Sequence, residues 1–337
     1  MNLDTFFTTL YCLIDDWCKS CRVCRRNKPR TGPPLRMSDS EVLALMIAAQ
    51  WRGSVPWQSE RGMLRYMREH GLKWFPNLLG QSQFNQRARQ LSPALVLLQQ
   101  ELADMLVDNA TYEVVDCTPV PHCSLSQAKS HRRHWLSGKK GRGGNHGGWY
   151  YGQQLLLCAT DKGVITGWLA GIANMDDRWM LQALLSSRQG EMRLVEPELP
   201  KHRTYGYRYI PTPEAFTTPA TVGLDRSLPI LADGGFNGPR WIEHWKREYG
   251  ITVIAPPSTN QKGDKSRKKH RWLARHRQII ETVIARLTQT FDLHRVNAHS
   301  EDGMLARLAA KMAAYNTAIW LNRTCGRPDG AMQTLIC

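Results

Sequence analysis

The feature that most constrains the fold is the order of strand and helix patterns after Tyr112. A short β-branched run, YEVVD, is followed by WYYGQQLLLCAT and VITGWLAGI, which the turn Asp161-Lys162-Gly163 joins into a hairpin. A helical pattern from about 177 to 188 is followed by the strand LPILAD, the helix PRWIEHWKREYG and the strand ITVIAP. Two helices near 271–291 and 301–322 complete the series. This alternation predicts an α/β fold with a mixed five-stranded sheet flanked by helices.

The same order is that of the ribonuclease H-like fold, in which the first strand is central and pairs with the hairpin. On that fold, acids at the ends of the first and fourth strands and on a helix after the fifth strand converge on one point. The sequence has Asp116, Asp233 and Glu281 at these three places. We therefore expect them to be catalytic residues that bind a metal.

Carboxylates suit phosphodiester chemistry because two hard cations can activate the nucleophile and neutralise the leaving oxygen. Magnesium needs only a few carboxylate ligands and keeps waters and substrate phosphate as the others. Asp116 directly follows an apolar run, and we expect Pro119 and Pro121 to end its strand. Arg277 lies four residues before Glu281, so it shares its helix face and is a supporting residue.

Each acid taken alone has a simpler explanation. A strand-end aspartate is commonly a turn or cap residue, and Arg277 with Glu281 could form a plain surface ion pair. Other acids are assigned structural roles: Asp161 to the hairpin turn, Asp176 and Asp177 to the cap and first turn of a helix, and Asp225 to a loop. The position of the three acids in the element order favours the catalytic interpretation.

Residues 1–110 have a different texture and predict a helical N-terminal DNA-binding module. Ser38 and Glu41 have the spacing of a capping box at the start of a helix, after the Pro-rich stretch RRNKPRTGPPLR. The catalytic domain is predicted over 111–325, with an irregular insert at about 190–228, and 326–337 form a tail. Within the module, SQFNQRAR offers Gln83, Asn85, Gln86 and Arg87 as a recognition helix. A core role for this region is the alternative.

The charge indicates a polyanionic partner. The chain has 45 Lys+Arg against 29 Asp+Glu, a formal net charge of +16 and a pI of about 9.7. Its apolar runs are too short to cross a bilayer, and acids interrupt the first apolar stretch, which argues against a secretory signal. We expect a cytoplasmic protein whose partner is DNA.

Two basic loops flank the predicted site in sequence and are expected to contact DNA phosphates. Trp135 and Trp272 lie among them and could either stack on exposed bases or belong to the core. The predicted DNA-binding residues are Lys129, Arg132, Arg133, Lys139, Lys140, Arg142, Lys265, Arg267, Lys268, Lys269, Arg271 and Arg275.

The chain has nine cysteines, an odd number that favours free thiols in a reducing compartment. Cys18, Cys21 and Cys24, with Cys12 as a fourth ligand, have spacings that permit a metal site. Leu10, Ile14, Trp17, Cys21 and Cys24 also trace an apolar stripe at helical spacing, in which cysteine serves as a small hydrophobe. The stripe is the favoured interpretation.

The sequence resembles bacterial DDE-type insertion-sequence transposases, most closely insertion-sequence family 982. The resemblance spans nearly the whole chain and is carried by SQFNQRARQL, VVDCTPVP, WYYGQQLLL, NMDDRWML, LADGGF, RQIIETVIARL and RVNAHS. It implies a ribonuclease H-like domain, metal-binding roles for Asp116, Asp233 and Glu281, and dependence on Mg²⁺, for which Mn²⁺ should substitute. The chain departs from the family pattern at Ala274 and Thr288, where the family often has Tyr and Lys.

Three functions follow as hypotheses. The first is a transposase that cleaves strands at the element ends and transfers the freed 3′-hydroxyl into target DNA, acting as a homodimer on DNA at the nucleoid. The second is a metal-dependent nuclease on the same fold. The third is a catalytically silent DNA-binding remnant, which the cost of an unused cluster of repelling carboxylates argues against.

Overall fold

The structure is a computed structural model that describes residues 1–21, 35–123, 138–143, 148–190, 192–197, 210–217, 220–221, 228–257 and 267–336. The chain divides into two compact units, one of Met1–Leu102 with Arg286–Cys337 and one of Ala103–Ala285. The predicted domains instead placed 286–325 with the catalytic domain. No helix in the described part combines the length and apolar character needed to cross a bilayer.

The first unit is helical. Its helices are α1 (Leu3–Ser20), α2 (Asp39–Ala48), α3 (Glu60–His70), most of α4 (Gln81–Leu106) and α8 (Glu301–Thr324). The predicted capping box is present at α2, where Ser38 Oγ accepts from Glu41 N at 3.1 Å and Ser38 N donates to Glu41 Oε2 at 2.6 Å. Helix α8 is buried around most of its circumference and contacts α2. This apolar packing groups the C-terminal helix with the N-terminal ones.

The second unit is built on a mixed sheet, and its described residues form seven strands in place of the predicted five. The five predicted strands are β1 (Glu113–Cys123), β3 (Trp149–Thr160), β4 (Ile165–Ile172), β6 (Ile230–Leu231) and β7 (Val253–Ile254). The additional strands are the short β2 (Lys139–Arg142) and β5 (Ala220–Thr221). Loop residues of the predicted basic segment and insert thus pair with the sheet.

Strand β1 is central, as predicted. The order along the sheet is β5-β4-β3-β1-β6-β7, with β2 paired to β3. The hairpin β3–β4 and the β1–β3 pair are antiparallel, whereas β6 is parallel to β1 and β7 is parallel to β6. Gly163 closes the hairpin turn with a φ of +81°, a conformation that favours glycine.

Helices cover both faces of this sheet. On one face, α5 (Asp177–Ser187) and α6 (Pro239–Tyr249) share a core with Val115, Leu156 and Leu169. A long helix, α7 (Arg267–Phe291), reaches the hairpin turn, since a Cβ at Gly163 would lie 3.4 Å from Ile279 and 3.5 Å from Val283. Tyr112, just before β1, meets the His276 ring edge-on at 5.5 Å. These contacts place α7 beside the start of β1.

Candidate active site

Strand β1 carries Asp116 in its middle, and the prediction that Pro119 and Pro121 end the strand is wrong. β1 stays paired with β3 through both prolines, with Pro119 opposite Gln154 and Pro121 opposite Gly152. Glu113 N donates to Pro229 O, beside β6, at 2.9 Å. Because alternate residues of a strand direct their N–H groups to the same side, residues 117, 119 and 121 face that side too. The prolines therefore fall at positions where pairing with β3 needs no donor.

The two predicted aspartates lie level with each other on neighbouring parallel strands. Glu113 pairs with Ile230 and Val114 with Leu231. The same register, continued by two residues, brings Asp116 opposite Asp233 just beyond the end of β6. Asp233 then caps a short 3₁₀ turn over Gly234–Phe236, with its Oδ1 accepting from Gly235 N at 2.8 Å. The sheet topology thus brings together two acids that are 117 positions apart in the sequence.

The Asp116 carboxyl is in an electrostatically unfavourable place. Burial and the neighbouring charge of Asp233 raise the pKa of Asp116 to about 7, and Asp177 adds to the repulsion. The Cys117 N–H, 2.8 Å from Asp116 Oδ1, and the Arg277 guanidinium only partly offset this pKa rise. The group is a carboxylate whose negative charge lacks sufficient compensation within the protein.

Helix α7 supplies the partner that was predicted to support the site. Arg277 Nη2 lies 3.9 Å from Asp116 Oδ2, and both side chains are largely buried. The Arg277 Nε is buried without a hydrogen-bond partner among the described residues. Arg277 therefore directs its Nη2 donor towards Asp116, while its Nε donor has no partner among the described residues.

The structure does not gather the third predicted acid into the same group. Glu281, one turn after Arg277 on α7, is exposed. Within the described part of the chain, no three His, Cys, Asp or Glu side chains are arranged to hold a metal ion. The structure thus brings Asp116 and Asp233 together, with Arg277 beside Asp116, and leaves Glu281 outside this group.

A third acid near the pair, Asp177, was assigned to a helix turn by its sequence. Asp176 does cap α5, accepting from Arg178 N at 2.9 Å. Asp177 points elsewhere, and its Oδ1 accepts from Gln154 Nε2 at 2.6 Å. Burial raises the pKa of Asp177, and the charge of Asp233 raises it further, while a hydrogen bond with the Cys117 thiol opposes the rise. The sequence carries no signal separating these adjacent aspartates, because their roles depend on strand neighbours.

A buried ion pair lies at the start of β1. Arg188 Nη1 and Nη2 donate to Glu113 Oε2 and Oε1 at 2.7 and 2.9 Å, and the Thr166 hydroxyl donates to Oε1 at 2.5 Å. Burial alone would raise the pKa of Glu113, but Arg188 and Thr166 hold it below its usual value. Sequence reasoning missed this pair. It is a structural element, because every partner is a neighbouring side chain of the fold.

Half of the predicted DNA-binding side chains lie within the described residues, and all of these are exposed. They are Lys139, Lys140 and Arg142 on β2 and Lys268, Arg271 and Arg275 on α7. Trp272 beside them is 44 % exposed, which excludes the core alternative for it. The remaining positions, Lys129, Arg132, Arg133, Trp135 and Lys265 and the side chains of Arg267 and Lys269, lie outside what the structure describes.

The structure also bears on the predicted cysteine stripe, the recognition helix and the roles of Asp161 and Asp225. Of the predicted stripe, Leu10 and Ile14 are buried on α1, Trp17 and Cys21 are only partly buried, and Cys24 lies outside the described residues. The buried cysteine of this helix is Cys18, which the stripe did not include, and Cys12 is exposed. Helix α1 ends at Ser20, so Cys21, which the predicted stripe includes, lies beyond the helix. Arg87 is held by Asp39 and by Met37 O, so this side chain has a structural role in α4. Asp161 accepts from Thr111 at the hairpin turn, and Asp225 lies outside the described residues.

Comparison with known proteins adds one finding. Residues 217–317 match a protein family described as Transposase DDE domain. The match supports a DDE-type transposase. It covers less than a third of the chain, including Asp233 and Glu281 but not Asp116, and it implies a ribonuclease H-like fold and phosphoryl transfer on nucleic acid. No curated protein and no solved structure matches the chain.

Proposed function

We propose that this chain is the transposase of an insertion sequence, related to family 982, that cleaves DNA at the element ends and transfers the freed 3′-hydroxyl into target DNA. The observation that carries the proposal is the level placement of Asp116 and Asp233 beyond the paired ends of β1 and β6. The similarity of residues 217–317 to transposase DDE domains supports the same conclusion. Two DNA ends must be joined in one event, so we propose a homodimer on DNA.

The donor set fits Mg²⁺ or Mn²⁺. Asp116 and Asp233 present carboxylate oxygens, which hard divalent cations prefer, and the raised pKa of Asp116 marks a negative charge that a cation would stabilise. We assign Asp116, Asp233 and Glu281 as the residues that would hold the metal. Once bound, the metal supplies activation of the attacking oxygen and neutralisation of the leaving oxygen.

The chain's own residues would then position the DNA. Arg277 flanks Asp116, with Nη2 3.9 Å from Oδ2, and a guanidinium at this place suits a phosphate oxygen beside the metal. A cavity of about 470 Å³ is lined by Arg178, Arg240 and Trp241 and also by one acid, Glu196. The two arginines and the tryptophan suit a DNA backbone with an unstacked base.

The decisive experiment measures Mg²⁺-dependent cleavage and strand transfer on DNA carrying the element ends. Asp116→Ala and Glu281→Gln should each abolish both products. Asp161→Asn, which changes a hairpin-turn carboxylate of the same sheet, should act like the wild type. Full cleavage by Asp116→Ala would refute the assigned site.

The same assay separates the alternative functions. Hydrolysed ends without any joined product would identify a metal-dependent nuclease. Binding to DNA without cleavage at any Mg²⁺ or Mn²⁺ concentration would identify a catalytically silent remnant.

The DNA-binding surface is tested by salt dependence. Lys268→Gln, Arg271→Gln and Arg275→Gln should each lower the slope of log affinity against log salt by about 1, since each phosphate contact releases about one counterion. Lys246→Gln, an exposed change on α6, is the matched control and should leave the slope unchanged. If every variant had the same salt slope as the wild type, these α7 side chains would not contact DNA phosphates.

A further inference from the structure

Asp176 and Asp177 are adjacent acids with opposite surroundings. Asp176 is exposed and satisfied locally by Arg178, whose Nε lies 2.8 Å from its Oδ1. Asp177 is partly buried and is oriented by two strand residues, Gln154 on β3 and Cys117 on β1. A helix needs only the first of these acids for its cap. The cap of α5 therefore does not explain the orientation of Asp177.

The second carboxylate oxygen of Asp177, Oδ2, lies beside Asp233. A Cβ on Gly235 would overlap Asp177 Oδ2 and would lie 3.1 Å from Asp233 Oδ1. The two carboxylates therefore flank the same small space, which the absence of a side chain at Gly235 keeps open. Asp233 and Asp177 also both contribute to the raised pKa of Asp116.

We propose that Asp177 is a positioning residue of the metal centre, which accepts hydrogen bonds from the water shell of the cation held by Asp116 and Asp233. This inference rests on the proposed function. A role through water fits the geometry, because the described acids do not form a direct three-ligand group and magnesium retains several waters when bound. Gln154 and Cys117 hold Asp177 in the orientation that this role requires.

The test is direct titration of Mn²⁺ into the full chain without DNA, with free hexaaquo Mn²⁺ measured by electron paramagnetic resonance. Asp177→Asn should weaken Mn²⁺ affinity about 10-fold or more, as loss of an outer-shell partner does in other metal sites. Asp176→Asn is the matched control and should bind Mn²⁺ like the wild type, since asparagine also caps helices well. Unchanged affinity in Asp177→Asn would overturn the inference.

Two further measurements separate this role from a structural one and from failure of the proposed function. The metal-free Asp177→Asn protein should melt no lower than the wild type, because the change removes a repelling charge. A lower melting temperature with unchanged Mn²⁺ affinity would indicate a structural role and overturn the inference.

A second variant covers the case in which Asp177→Asn does not fold. Gln154→Met removes only the amide that orients Asp177 and should still weaken Mn²⁺ binding. Unchanged Mn²⁺ affinity in this variant would also overturn the inference. If the wild type and Asp116→Asn bind Mn²⁺ equally, the proposed metal centre itself fails.

Discussion

Two acids on β1, Glu113 and Asp116, differ in how far neighbouring groups compensate their buried negative charge. They lie three residues apart, so their side chains lie on opposite faces of the sheet. Glu113 is paired with both terminal nitrogens of Arg188 and with the Thr166 hydroxyl. Asp116 has Arg277 only at 3.9 Å and is raised in pKa by Asp233 and Asp177 as well as by burial. The fold neutralises the first charge itself and leaves the second without sufficient compensation, which is the basis of the proposed metal centre.

The largest effect on stability should come from removing the carboxylate of Glu113, the acid whose charge the fold neutralises. Glu113→Ala leaves the buried Arg188 without its carboxylate, and loss of one partner of a buried pair costs about 3–5 kcal/mol of unfolding free energy. Denaturant titration measures this loss. Glu243→Ala, an exposed glutamate on α6, is the control and should change stability by about 0.5 kcal/mol or less. Similar losses in both variants would mean that the Arg188 pair is not structural.

The next largest effect tests Asp116, the acid whose charge the fold does not neutralise. Mn²⁺ at 100 times its dissociation constant should raise the unfolding free energy of the wild type by about 2.7 kcal/mol, since it binds only the folded state. In Asp116→Asn, the same Mn²⁺ concentration should give little stabilisation. Thermal melts with and without Mn²⁺ check this, and equal shifts in both proteins would show that Asp116 does not hold the metal.

Without metal, the same substitution should stabilise the protein at neutral pH. The pKa of Asp116 is raised to about 7 from its usual 3.8, so the stability linked to its neutral form is present below about pH 4 and lost as the pH rises through 7. Asp116→Asn avoids that loss and should be more stable than the wild type at pH 8, by on the order of 2 kcal/mol, because a pKa shift of one unit corresponds to about 1.4 kcal/mol and the side chain is partly exposed. Denaturant titrations in a chelator at pH 4 and 8 measure it. A stability difference that is the same at both pH values would contradict the prediction.

The smallest effect on stability tests the hydrogen bond from Thr166 to Glu113. Thr166→Val removes a buried hydroxyl that donates to Glu113 at 2.5 Å while Arg188 stays in place. A loss of about 1.5 kcal/mol is expected for a hydrogen bond to a charged group. Thr282→Val, which removes a hydroxyl that among the described residues is bonded to its own helix at Gln278 O, serves as the comparison and should cost less. A larger loss at Thr282 would contradict the importance given to the Glu113 network.

Local patterns predicted the elements of the second unit well. The hairpin, α5, α6 and α7 lie where the apolar periodicity and turn residues put them, since these signals act within a few residues. The prolines of β1 were misjudged because a proline's effect depends on which side of the strand lacks a partner. Residues 139–142 and 220–221 pair as strands although nothing in their sequence marks them, because their neighbours in the sheet are distant in the chain.

The candidate site was only partly accessible from sequence. Position in the element order pointed to Asp116 and Asp233, which the structure places on neighbouring strands, and to Arg277, which lies beside Asp116, but Glu281 is not gathered with them. Their distances, and the roles of Asp177 and Arg188, depend on tertiary neighbours such as Gln154 and Glu113. The grouping of α8 with the N-terminal helices has the same origin, because its apolar surface does not name its partner.

The placement of the prolines in β1 also bears on self-association. Past Val114, β1 has no neighbour on its β6 side among the paired residues, and such an edge ordinarily invites another chain to add a strand. Here Cys117 N is occupied by the Asp116 carboxylate, and Pro119 and Pro121 have no N–H to offer. This part of β1 is therefore a poor template for the addition of another strand.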